Sequence, residues 1–426
     1  MSTATSLREL ARQLDDADSL GRALDEMLAS RTEPPTLLAL GEPTHGIKEF
    51  PLLRNEILIH LVERGHRSIA LEIDLFAASI VDNYIAGSGG GSISDSHTDT
   101  TTAADIETVL ATGFSHGFGN IPGNRELVEW LRTYNTDRPP QDRIHFHGFD
   151  APVEFHAAPS PRQALTAAIN YLPAALRPTS APQAPAQASE LDTLLGDDAD
   201  WSNPAAMHDP TTSIGNTSRA RALRIIADDL ASALHRAAPT LHPADPTAYT
   251  QAAAHARTAQ GLLRYHAAMA SPAPDRIATL LSLRTEMMAE NLLAIAAQEQ
   301  QRGPTLVFAH NAHLQPAQSH MPIGPTDVSW SSAGALVAHT LGTRYAFIAT
   351  DANPHPAPNT LQAALAEATT RRALFPTQAL RTALPPTTTA GDPIAPGHIP
   401  LTPADLPGTD AVIFIADTDG IRHQYW

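Results

Sequence analysis

The chain has 426 residues, enough for a large buried core arranged as two or three domains or as one enlarged by insertions. Its hydrophobic content of 42% excludes a disordered chain, and a formal charge of −17 argues against a nucleic-acid partner, whose phosphates call for a basic surface. The absence of cysteine excludes thiol nucleophiles, disulfides and zinc–thiolate sites.

No apolar run approaches the roughly 18 residues of a membrane span. The polar, amphipathic start also lacks the layout of a signal peptide, so a cytoplasmic location without a membrane partner is expected. The basic residues are 27 arginines and a single lysine, Lys48. With abundant Ala and Pro, that bias reads as the imprint of a GC-rich genome.

In chain order, Leu7, Leu10, Leu14, Leu20, Leu24, Met27 and Leu28 recur at helical spacing and predict an amphipathic helical start. The apolar run 37–40 predicts a buried strand. It leads into Gly41-Glu42-Pro43-Thr44-His45-Gly46 and then a helix from about Lys48 with Phe50, Leu53, Ile57 and Leu61 on one face. A strand at 68–73 and a helix through Ile80, Val81 and Tyr84 follow, a β-α-β-α order that implies a parallel sheet with crossover helices. The stretch from Gly87 to Thr102, rich in Gly, Ser, Thr and Asp, predicts a flexible loop. Asn124 is a candidate cap for a helix carrying Leu127, Val128 and Leu131. Strand 143–147 then leads to His147 and Asp150.

Between 159 and 299 the strand signal gives way to Ala-rich helices separated by Pro-rich linkers, at 172–189 and 237–246. The expected organisation is an α/β core of 1–158 and 300–426 with a mainly helical inserted or capping region at 159–299. Strands return at 305–309, 344–349 and 411–416, and 351–410 is expected to be mostly loop with one helix near 360–372. The fold class is therefore α/β: a mostly parallel central sheet flanked by helices, with an additional helical region.

Four predicted strands carry chemistry at their ends: Glu42 and His45, Glu72, His147 and Asp150, and His310 with His313. Ligands of open α/β sheets bind at the C-terminal ends of strands. An imidazole at His45 can exchange a proton near neutral pH, with Glu42 or Glu72 to orient it. A carboxylate at Glu72 inside an apolar strand must be partnered or shifted upward in pKa. Two histidines three apart, His310 and His313, suit stabilisation of a charge developing on a carbonyl. A divalent-metal site there is the lesser alternative, and no cofactor is expected. The chain lacks the Gly-x-Ser-x-Gly elbow of serine esterases and the glycine-rich loops that bind nucleotides.

Together, Gly41–Phe50 with Arg54, Ala70–Ile73, Trp130–Asn135, Phe146–Asp150, Arg284 through Asn291, and Phe308–His313 resemble the erythromycin esterase family, in that family's order over roughly residues 35–350. The resemblance implies an α/β core, a helical region and a deep cleft. It also implies hydrolysis of an ester or lactone by histidine-activated water without a covalent intermediate. His45 would be the base and Glu42, Glu72, His310 and His313 its catalytic neighbours. Arg54, Asp150, Asn311 and Arg284 are the expected substrate-binding residues. The expected partner is a small-molecule or peptide natural product, with antibiotic resistance as the family's setting. The competing expectation is a biosynthetic tailoring enzyme that uses the same acid–base site for cyclisation, dehydration or acyl transfer. The middle of the chain, including Gly113–Asn120, departs from the family's resistance enzymes, and with it the walls that would select a substrate.

Overall fold

A computed structural model of the chain describes residues 3–87, 105–154, 157–181, 188–323 and 326–425. The loop expected at Gly87–Thr102 lies, from residue 88 on, outside the described residues. The chain divides into two compact units, Met1–Phe149 with Leu292–Trp426, and Asp150–Asn291. No described helix is long and apolar enough to cross a membrane.

Among the described residues the first unit is built on ten strands: β1 Arg12–Gln13, β2 Leu37–Glu42, β3 Ser68–Asp74, β4 His145–Asp150, β5 Thr305–His310, β6 Gln318–Ile323, β7 Thr326–Ser331, β8 Tyr345–Ala352, β9 Arg372–Pro376 and β10 Ala411–Ile415. Eight of them form one sheet in the order β1-β9-β10-β8-β2-β5-β3-β4, while β6 and β7 pair as a separate antiparallel hairpin. The five strands from β10 to β3 run parallel, while β9 pairs antiparallel with both β10 and β1. Continuous apolar runs form these central strands because helices cover both faces and leave no side for polar residues. Every residue of β2, β5, β8 and β10 is buried. The helix Glu49–Glu63 buries Phe50, Leu53, Ile57 and Leu61 against that sheet, each worth roughly 1.5–3 kcal/mol of apolar burial.

Some boundaries differ from expectation. The helical start breaks into Thr3–Leu10 and Ala17–Ala29, separated by β1. Asp16 restarts the helix by capping Ser19, whose hydroxyl caps in return. Strand β4 spans His145–Asp150 instead of 143–147, so that Asp150 lies in the strand and not after it. The region expected as loop after 351 contains β9 and the helix Thr377–Ala383 as well as the helix Leu361–Ala368.

The second unit is helical. Its core joins Leu165 and Ile169 of Arg162–Tyr171, Leu223, Leu230 and Leu234 of Ser218–Ala244, Leu263 of Pro246–Met269, and the fully buried Trp201. The linker expected at 237–246 is instead mostly helix, with Pro239 and Pro243 inside it. Each proline removes one main-chain donor. The carbonyl partners they would have used belong to exposed residues, His235 and Pro239, where water can satisfy them.

Candidate active site

The ladder between β2 and β5 sets Glu42 directly opposite His310. The chain leaving β2 turns at once, because Gly46 adopts φ +89°, a left-handed conformation that favours glycine. That turn folds His45 back so that its Nδ1–H donates to Glu42 Oε1 at 2.8 Å. The other ring nitrogen, Nε2, faces Glu72 Oε1 at 3.7 Å. Glu72 also accepts from the His310 amide through Oε2 at 2.8 Å and lies 3.2 Å from His313 Nε2 through Oε1. The structure thus brings together all five residues expected to be catalytic.

Burial disfavours a charged His45, but the charge of Glu72 and the hydrogen bond and charge of Glu42 outweigh it, and its pKa is raised. Burial likewise raises the Glu42 carboxyl, partly offset by His45. Glu42 Oε2 and His313 Nδ1 are buried without a hydrogen-bond partner. A small cavity lined by Glu42, His45, Arg54, Glu72, Phe118 and Phe308 has a volume of about 20 Å³, room for about one water.

His310 occupies the site differently from its neighbours. Its Nε2–H donates to the Pro43 carbonyl at 2.8 Å, and its Nδ1 accepts from the Ala312 amide at 3.1 Å. Burial, with the nearby His45 and His313, lowers its pKa to about 3. It is a neutral imidazole in one tautomer, and both nitrogens hold main chain. This geometry suits a wedge under the His45 turn better than a donor to substrate.

The four residues expected to bind substrate have partners within the protein. Arg54 is only 1% exposed and spends its guanidinium on Asn55, Asn124 and the Gly123 carbonyl, over the Phe308 ring. Burial pulls its pKa down to about 9 against the charges of Glu42 and Glu126, so it remains a cation that balances Glu42 from inside the protein. Asn311 is also buried, and its amide group bridges to Thr350 of β8, donating to the carbonyl at 2.8 Å. Asp150 and Arg284 meet each other in the second unit, with Arg284 donating through Nη2 at 2.6 Å and Nε at 3.1 Å to a fully buried carboxylate. All four expected binding side chains are engaged by the protein itself.

Among the described residues, one cluster has the donors and spacing of a metal site. His145 and His147, two apart on β4, and Glu299 place their ligand atoms within 4.8 Å of one another. His145 Nδ1–H and His147 Nε2–H both donate to Glu299 Oε1 at 3.0 Å. Burial works against the Glu299 charge, yet these two hydrogen bonds hold its pKa at about 2. The Arg302 guanidinium already supplies the positive charge, 3.5 Å from Glu299 Oε2 and packed against the His145 ring. The arrangement is that of an internal ion cluster.

Phe118 belongs to the segment Gly113–Asn120 expected to wall the site, whereas Arg422 and Tyr425 are site residues that no sequence motif announces. The Phe118 ring lies 4.8 Å from that of His45, and Tyr425 stands edge-on to His45 at 6.4 Å and to Phe118 at 5.3 Å. Arg422 Nε donates to the His45 carbonyl at 3.2 Å.

Comparison with known proteins completes the description. The erythromycin esterase family profile matches residues 61–417. A structure of a Bacillus cereus protein superposes with a TM-score of 0.67 at 18% identity, covering 97% of this chain and 96% of that one. A succinoglycan biosynthesis protein does so at 0.62 and 16% identity, over 98% and 96% of the two chains. The erythromycin esterase EreC, solved in its open conformation as a histidine-to-asparagine mutant, gives 0.62 at 17% identity over 95% of each chain. No curated protein matches the sequence.

Proposed function

We propose, from the premise that this chain belongs to the erythromycin esterase family, that it is a hydrolase that opens an ester or lactone of a natural product by attack of water activated at His45. The observation that carries this reading is the placement of the His45 ring between two carboxylates, with Nδ1–H fixed on Glu42 and Nε2 turned toward Glu72 and the small cavity.

With Nδ1 protonated, Nε2 holds the lone pair that takes a proton from water as the oxygen attacks the carbonyl carbon. The resulting imidazolium is stabilised by both carboxylates. It then returns the proton to the departing alcohol oxygen as the acyl C–O bond breaks, leaving a carboxylic acid and an alcohol. His313, held on Glu72 through Nε2, stands at the same sheet edge beside the oxygen on which charge develops. Neutral His310 and buried Arg54 keep the turn and the Glu42 charge in place.

The test is incubation with macrolides and simple lactones in heavy-oxygen water. The expected product is the ring-opened acid with one heavy oxygen in its carboxylate. Heavy oxygen absent from a product that forms would refute water attack. The likeness to a succinoglycan biosynthesis protein supports a second reading, acyl or cyclisation chemistry in a biosynthetic pathway. Intact macrolides, together with loss of a mature metabolite on gene deletion, would favour it.

A further inference from the structure

The polar segment 417–425 follows β10, the last strand of the sheet, and returns across the His45 turn. The His423 amide donates to the Gly46 carbonyl at 2.7 Å, and Ile47 and Arg422 form an isolated antiparallel bridge. Asp419 pairs with Lys48 at 3.0 Å, so the only lysine of the chain is one end of this connection. Arg422 reaches two points at once, donating through Nε to the His45 carbonyl at 3.2 Å and through Nη2 to the Tyr425 hydroxyl at 2.8 Å. Gly46 is shaped for this approach. A Cβ there would come within 2.7 Å of the His423 carbonyl and 3.1 Å of both Arg422 Cγ and Tyr425 Cε1.

We infer that residues 419–425 form a clasp for the reacting histidine, in which Arg422 is a positioning residue for His45 and Tyr425, beside Phe118, is a specificity-determining wall of the site. The inference rests on the esterase reading for what the site does, but its geometry is independent of it. The clasp and His310 hold the main chain of the turn at different carbonyls. His310 donates to the Pro43 carbonyl on one flank and Arg422 to the His45 carbonyl on the other. A general base must be held within about half an ångström of its productive position, so a turn tied at both ends is what such a site requires. Tyr425 is 6% exposed, and its ring stands edge-on to both His45 and Phe118. Groups entering the site would pack against two aromatic faces, which selects an apolar or planar portion of an ester beside its carbonyl.

The test uses the full-length protein with Arg422→Ala, Arg422→Lys, Tyr425→Phe and Tyr425→Ala. Nitrogen-15 histidine NMR reads the His45 tautomer, and amide exchange reads the His423 bond to Gly46. In Arg422→Ala the single Nδ1–H tautomer of His45 is expected to give way to a mixture, and the His423 amide to exchange at least about tenfold faster, with the thermal midpoint held within a few degrees. Arg422→Lys, which keeps one donor within reach, is expected to restore part of both signals. Carbon-13 methylation of Lys48 supplies one further resonance that reports whether Asp419 remains attached. With p-nitrophenyl esters of rising acyl size, Arg422→Ala should lower kcat about tenfold with KM within twofold. Tyr425→Ala should raise KM several-fold for the larger esters, and Tyr425→Phe, which keeps the ring, should not. An unchanged His45 tautomer and unchanged His423 exchange in Arg422→Ala would overturn the clasp, whichever esters turn over. Preserved NMR effects with no hydrolysis of any ester would count against the esterase reading and leave the clasp standing.

Discussion

The first unit holds two histidine–glutamate clusters built from the same side chains, and their difference is instructive. At the start of β4, His145 and His147 share one oxygen of Glu299 and Arg302 supplies the compensating charge, so the carboxyl is held near 2. At the C-terminal ends of β2, β3 and β5, two glutamates converge on His45, and the buried arginine that opposes the Glu42 charge, Arg54, is spent on other hydrogen-bond partners. In the first cluster an arginine sits directly against the carboxylate that the two histidines share. The second keeps an imidazole whose proton is held between competing carboxylates, the condition for moving a proton during a reaction.

Substitutions should separate the two clusters most sharply. His45→Ala is expected to reduce kcat by about 100-fold or more without altering the unfolding midpoint, measured by ester hydrolysis and by thermal melting. Glu299→Gln should do the reverse. It is expected to leave kcat unchanged and cost about 3 kcal/mol in urea unfolding, because it replaces the buried carboxylate charge that faces Arg302 and the two histidines with a neutral amide. Equal losses of activity in the two variants would erase the distinction.

Acidification should act on the clusters through different observables. The raised pKa of His45 means that its base form is lost as pH falls, so kcat/KM should drop on the acid side with a midpoint above the ordinary 6.5. A midpoint at or below 6.5 would show that the carboxylates do not govern that proton. Stability has its own acid limb. Burial holds His66 and His266 near pKa 4 and His310 near 3, below their unfolded value, so the native state resists protons that the unfolded chain accepts. The stability these groups contribute is complete above about 6.5 and is lost toward their folded values, by up to about 1.4 kcal/mol per pH unit for each. Denaturant unfolding at pH 7, 6 and 5 checks the sign. The smallest effect concerns metal: a chelator should leave the thermal midpoint within about one degree, since Arg302 already neutralises Glu299. A stoichiometric ion on β4 in the native protein would reverse that assignment.

Much of the fold was legible because its central strands are continuous apolar runs followed at once by turn residues, as at 37–42 and 305–310. The five converging residues were legible for the same reason: a polar side chain just past such a run has one sheet edge on which to land. Partnership was not legible. Nothing in the sequence distinguishes an arginine aimed at substrate from Arg54, whose bonds depend on the distant Gly123 and Asn124. Strand β9 escaped notice because it is short, ends in Pro376 and takes its pairing from β1 and β10. Tyr425 and Arg422 lie in a polar segment without periodicity, and only the glycine at position 46 registers how closely that segment approaches.

The pairing of β2 with β5 carries an evolutionary implication. Glu42 and His310 are neighbours across main-chain rungs, so their spacing is indifferent to how many residues the chain spends between β4 and β5. That intervening stretch is free to be lengthened, trimmed or exchanged by recombination while the two side chains stay in register.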